Sequence, residues 1–183
     1  AEPLLAIPWL EHPHRDAYWK HGSVNEDIGA IQAAVLAVGG WNDAYTNAVP
    51  RLVSTLKSPA KGIIGPWAHK YPHFAVPEPR IGFLQEALRW WDRHLKGIDT
   101  GVDKDPAFRT YIMDPRRPGA SVTHIGGRWV ADDAWPADRV EQRRLHLNAE
   151  GLSPTPGRSG KRALASPQTV GTDAGEFCII WLG

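Results

Sequence analysis

Two short, wholly apolar runs, Val35 to Val38 and Gly62 to Ile64, constrain the fold of this chain more than any other feature. Each is stopped by glycine, and an amphipathic stretch separates them. A strand covered on both faces shows no polar alternation, so such runs read as neighbouring strands of a parallel sheet. Between them, in "TNAVPRLVSTLKS", the apolar residues Val49, Leu52, Val53 and Leu56 fall on one helical stripe. Thr46 or Asn47 is the expected cap, and Pro50 falls in the first turn, where proline is tolerated. Strand, helix, strand between parallel neighbours makes a right-handed crossover, and the expected fold class is α/β.

A second helix is predicted in "RIGFLQEALRWWDRHLKG", where Ile81, Leu84, Leu88, Trp91 and Leu95 recur at spacings of three and four and Gly97 closes the end. This spacing puts Trp91 in the core and turns Trp90 toward a second domain. Beyond about residue 105 the texture changes to short alternating runs among glycine and proline: "FRTYIMD", "GRWVADDAWP", "RRLHLNAEG" and "EFCIIWLG". That is the pattern of a β-sandwich. Residues 1 to 33, polar with scattered aromatics, read as helix ends and a connector. Neither half is expected to be complete, since a doubly wound sheet has about five strands or more and a jelly roll about eight. Open strand edges would then favour self-association.

Charge excludes some partners. Lys plus Arg is 21 against 20 for Asp plus Glu, a net +1, so no field for nucleic acid or an anionic membrane surface arises. No apolar run is long enough to span a bilayer. Residues 1 to 10 lack the basic segment of a secretory signal, and the single cysteine, Cys178, rules out an internal disulfide framework. Localisation stays open, with the cytoplasm as the expectation.

In open α/β sheets the functional side chains gather just beyond the carboxyl ends of the strands. Asp43 follows the first apolar run in "VLAVGGWNDAYTN", and His69 follows the second in "GPWAH". Neighbouring strands would bring these ends together, and an Asp accepting from a His ring N–H equips that His to serve as base to a nucleophile. On pattern alone a helix cap and a loop histidine remain equally open. Trp41 and Tyr45, which flank Asp43, are candidate substrate-binding residues, with ordinary packing as the alternative.

Four segments, "EHPHRDAYW", "VLAVGGWNDAYTNAV", "KGIIGPWAHKYPHF" and "ALRWWDRHLKGIDTGV", together resemble the X-prolyl dipeptidyl-peptidase and cocaine-esterase-like serine hydrolases. The resemblance is dense over residues 9 to 105 and looser to 183. It implies an α/β-hydrolase core with a helical cap and a C-terminal jelly roll. Residues 1–33 would then end the cap and connect it, 34–105 would form the C-terminal part of the core, and 106–183 a partial jelly-roll β domain. It further implies that Asp43 is the triad acid and His69 the triad base, that no cofactor is needed, and that the substrate is a small ester or amide, X-Pro peptides included. The nucleophile elbow G-x-S-x-G is absent; "GRSGK" at 157 to 161 and "HGSVN" around Ser23 do not match it. The expectation is therefore a fragment with acid and base but no serine, inactive alone, whose Ser and oxyanion donors lie upstream of Ala1.

Weaker candidates complete the reading. His12, His14, Asp16 and His21 lack the fixed spacings of zinc sites, and no metal is expected. His73 reads as a solvated loop histidine, with a place near the mouth of the site as the alternative. A non-catalytic module whose β half contacts carbohydrate or a partner chain is the rival function: exposure of Trp129, Trp135 and Trp181 would favour it, and burial would favour the hydrolase.

Overall fold

The computed structural model describes residues 4, 6–116 and 121–161. The strand expected in "EFCIIWLG", with Trp181, lies outside the described residues. The two apolar runs do pair in parallel: β1 (Val35–Gly40) lies beside β2 (Ala60–Gly65) with Val35 opposite Ala60 and Gly40 opposite Gly65. Both faces of this pair are covered, as their lack of alternation requires. On one face Ala37 and Ile64 meet Val49 of helix α3 (Ala48–Thr55) and Phe108, with Val35, Leu52 and Val53 packed around them. On the other, Ile63, Trp67 and Ala75 form a second buried cluster joined by Leu36, Val38 and Ile81. Asn47 is the first residue before α3, but its side chain makes no capping bond.

The sheet continues past residue 105. β3 (Phe108–Met113) pairs in parallel with β2, and β4 (Gly127–Asp132) returns antiparallel to β3, so the order is β1-β2-β3-β4. The change in texture therefore does not coincide with a change of sheet. β5 (His146–Asn148) and β6 (Gly151–Ser153) form a separate two-stranded hairpin. Before β1, short helices α1 (Ala6–Glu11) and α2 (Ala17–Lys20) and two single 3-10 turns make up the connector.

Helix α4 (Phe83–Lys96) corrects the sequence reading. Ala87 and Trp90 are the buried positions, whereas Leu84, Leu88, Trp91 and Leu95 are all more than half exposed. The helix is turned by one residue from the expected orientation. Its polar anchors account for this: Glu86 takes a bidentate pair from Arg109 of β3 at 3.0 and 2.9 Å, and Arg89 bonds Asp105 at 3.2 Å. Those pairs fix the rotation and commit the Ala87–Trp90 side to the sheet. Gly97, in the left-handed region at φ 70°, ends the helix as expected.

Candidate active site

The glycines that stop β1 and β2 create the site. A Cβ on Gly40 would lie 2.0 Å from the Trp67 carbonyl oxygen, and one on Gly65 would lie 2.4 Å from the Trp67 ring. Only glycine permits the Trp67 backbone and indole, 1% exposed, to cross the strand ends this closely. Polar bonds then join the two strand exits. Trp41 N–H donates to Gly65 O at 2.9 Å, Asn42 N–H to Trp67 O at 3.0 Å, and the Asn42 side-chain amide to Pro66 O at 2.7 Å. The indole N–H of Trp67 reaches Pro79 O at 2.8 Å. Residues 43 and 69 are thus fixed by backbone on both sides.

Asp43 uses its two carboxylate oxygens separately. Oδ1 accepts from the backbone N–H of Tyr45 at 2.9 Å, which closes a local turn, and Oδ2 lies 2.8 Å from His69 Nδ1. Thr46 Oγ1 donates to Asp43 O at 2.8 Å and also to Gly40 O, which steadies the turn further. Asp43 is mostly buried, with a 12% exposed side chain, whereas that of His69 is 47% exposed. A carboxylate so placed holds the neutral imidazole with its proton on Nδ1, leaving Nε2 as the basic nitrogen. Asp43 is therefore no helix cap; it serves a turn and a histidine at once.

Both residues line a cleft of about 520 Å³ at the strand ends. Gly39, Gly40, Tyr71, Phe74 and Phe83 line it with them. Tyr45 stands edge-on to His69, ring centres 6.0 Å apart. Trp41 is not among the cleft-lining residues. Its indole N–H donates to Tyr111 O at 2.7 Å, which ties the ring to β3, and Tyr45 is not among the cleft-lining residues either.

His73 also departs from expectation. It is half-buried, stacked on Phe83 and edge-on to Phe74 with ring centres 6.1 and 4.6 Å apart. Its Nδ1 is buried without a hydrogen-bond partner among the described residues. The aromatic set 71, 74 and 83 escaped the sequence reading: "HKYPHF" puts Tyr71 and Phe74 within five residues of His69, but Phe83 comes 14 residues after it.

The histidines near the N-terminus do not converge. His12 pairs with Asp16 at 2.6 Å and stacks on Tyr18, and His21 bonds the Tyr18 carbonyl. Among the described residues no three His, Cys, Asp or Glu side chains gather as a metal would require. Nor is any described helix long and apolar enough to cross a membrane.

Residues 2–71 match the model of the X-Pro dipeptidyl-peptidase (S15) family. A Mycobacterium bovis protein named as a serine esterase is 29% identical over 148 residues, covering 77% of this chain and 20% of that protein. The cocaine esterase of a Rhodococcus species is 24% identical over 190 aligned positions, covering 94% of this chain and 31% of the esterase. The chain thus spans between a fifth and a third of these relatives. Two crystal structures of a CocE/NonD family hydrolase from Staphylococcus aureus share its fold, each with TM-score 0.60 at 17% identity, over 81% and 84% of this chain and about a quarter of theirs. The chain is thus similar to proteins of the X-Pro dipeptidyl-peptidase and cocaine-esterase kind, over residues 2–71 for the family model and over most of its length for the named esterases.

Proposed function

We propose that Asp43 and His69 are the acid and base of a Ser-His-Asp relay that cleaves ester or amide bonds through an acyl-enzyme. The observation that carries this reading is the 2.8 Å contact between Asp43 Oδ2 and His69 Nδ1 at the exits of two paired parallel strands, beside a cleft. In such a relay His69 Nε2 takes the proton of a serine hydroxyl as it attacks the carbonyl carbon. It then returns that proton to the leaving oxygen or nitrogen, while Asp43 orients the ring and stabilises the imidazolium. Residues 1–183 contain no G-x-S-x-G, so the serine is assigned to a part of the protein outside them. Tyr45, edge-on to His69, and Trp41, close to Asp43 in the chain, are assigned to substrate binding. No cofactor is called for. The hairpin β5–β6 is read as part of a jelly-roll domain. The substrate class is a small ester or amide, with X-Pro peptides included.

The β-half tryptophans divide between this reading and a binding module: Trp135 is half-buried, whereas Trp129 is 38% exposed. Trp135 rests on Phe108 with ring centres 4.8 Å apart, and Trp129 sits between Trp67 and Tyr111. The test is labelling by a fluorophosphonate. The isolated 183-residue chain should resist it, and the complete protein with the elbow serine should label. His69→Ala in the complete protein should then abolish most of the labelling. Equal labelling without His69 would make the histidine structural.

A further inference from the structure

Three aromatic rings that the relay itself does not use stand on the His69 side of the cleft. We propose that Tyr71, Phe74 and Phe83 form the subsite for the leaving group, and that it takes a flat aromatic or apolar alcohol or amine. The proposal rests on the hydrolase reading above and adds the substrate's chemistry to it.

The argument starts from where the proton must go. When the tetrahedral intermediate collapses, the bond from the acyl carbon to the leaving oxygen or nitrogen breaks and its electron pair stays on that atom. The proton on His69 Nε2 then moves to it. That atom must sit within hydrogen-bond reach of Nε2, so whatever it carries lies over the neighbourhood of His69. The chain itself supplies that neighbourhood, because the segment running on from His69 holds Tyr71 and Phe74, and Phe83 opens the next helix against them. Tyr71 meets Phe74 edge-on with centres 6.0 Å apart and lies nearly parallel to Phe83 at 5.9 Å. His73 fills the space behind, in contact with all three.

This wall is both exposed and held. Tyr71 is 64% and Phe74 48% exposed, large apolar surface that a monomeric protein ordinarily covers. Yet its backbone is tied at several points. Ala68 N–H donates to Val76 O at 2.8 Å, Phe74 N–H to Tyr71 O at 3.1 Å, Ile81 N–H to Pro72 O at 3.3 Å, and Arg80 Nε to Ala75 O at 3.2 Å. Rings presented in fixed geometry beside a few polar groups are how small-molecule sites gain affinity at low ordering cost.

The test uses the complete enzyme and three esters: methyl acetate, benzyl acetate with an aromatic leaving group, and methyl benzoate with an aromatic acyl group. Phe74→Ala should lower the benzyl acetate to methyl acetate ratio of kcat/KM by about 5- to 20-fold, while the methyl benzoate to methyl acetate ratio stays within about twofold. Phe74→Leu, which keeps apolar bulk, should lose less. Each ratio is internal to one preparation, so partial misfolding cancels. A loss confined to methyl benzoate, or no change in either ratio, would overturn the assignment. Should the unaltered protein hydrolyse none of the three, the hydrolase reading fails separately. Saturation-transfer NMR with benzyl alcohol on that protein then decides the subsite: a signal weakened by Phe74→Ala sustains it, and its absence overturns it.

Discussion

Among the described residues, two histidine–aspartate pairs are built on one bonding pattern. In each, the carboxylate Oδ1 accepts from the backbone N–H two residues on, Tyr45 for Asp43 and Tyr18 for Asp16, both at 2.9 Å. In each, Oδ2 faces a histidine Nδ1, at 2.8 Å for His69 and 2.6 Å for His12. By distance alone the second pair is the better one. What separates them is what holds them. His12 and Asp16 are four residues apart in one local turn, and the imidazole face lies flat on Tyr18 with centres 4.4 Å apart. Asp43 and His69 are 26 residues apart and meet only because β1 and β2 pair in register. Ser23 shares a surface depression with His12, but its hydroxyl accepts from Asn25 N–H and caps a turn. An Asp–His contact is thus cheap to form locally; a cleft at two strand ends is not, and it is the cleft that points to chemistry.

The comparison breaks most visibly under alanine substitution. In the complete protein, on the proposed relay, His69→Ala should cut kcat by about 10⁶, and Asp43→Ala or Asp43→Asn by about 10⁴, the amide because it favours the wrong tautomer. His12→Ala and Asp16→Ala should change kcat/KM by less than about threefold, the range of a surface substitution of roughly 0.5 kcal/mol. Steady-state ester hydrolysis measures both. Comparable losses at residues 12 and 69 would mean that the two pairs act together and that the contrast drawn from their settings is wrong.

A smaller effect tests the scaffold beneath each pair. Gly40→Ala would drive a Cβ to 2.0 Å from the Trp67 carbonyl, a backbone atom that cannot swing aside. The strand exits must part, with an expected loss of about 2 to 4 kcal/mol in urea unfolding. Gly22, beside the N-terminal pair, has nothing within 4 Å of its would-be Cβ, and Gly22→Ala should stay within about 0.5 kcal/mol. A Gly40→Ala variant as stable as its parent would show that Trp67 does not lock the site.

The same contrast explains what the sequence discloses. The parallel pair and its helix were legible because Val35 to Val38 and Ile63 to Ile64 have no polar alternation to confuse the period. Asp43 and His69 were legible as positions, since each follows a strand, and the family resemblance named their roles. The rotation of α4 was not. That helix carries apolar residues on two adjacent stripes, and periodicity chose Leu84, Leu88, Trp91 and Leu95, the stripe that faces outward. The choice is made by Glu86 with Arg109 and Arg89 with Asp105, contacts with residues far along the chain that no local pattern records. The tie from Trp41 to Tyr111 was hidden for a related reason, because the two are 70 residues apart. The merging of residues 108 to 132 into the α/β sheet was equally invisible, since alternation describes a half-covered strand without saying which sheet it joins.

The smallest expected effect lies in acid, and it belongs to the N-terminal pair. The hydrogen bond from His12 is the main force holding the Asp16 carboxyl below its ordinary value of 3.8, helped by the Tyr18 N–H and opposed by partial desolvation. A carboxyl whose folded value is depressed binds its proton more readily in the unfolded chain. Its stabilisation is therefore complete above the unfolded value and is lost as pH falls through the folded one. Asp16 is solvent-exposed, so the contribution is modest and salt weakens it. Thermal unfolding of the chain and of Asp16→Asn, followed from pH 5 down to about pH 2.5 at low salt, should show Tm falling less steeply in the variant, and the gap should narrow when salt is raised. Parallel curves would mean that the His12–Asp16 bond contributes nothing to the fold. The shorter of the two contacts would then have neither a catalytic nor a structural role, and proximity would be a poorer guide still to which pair matters.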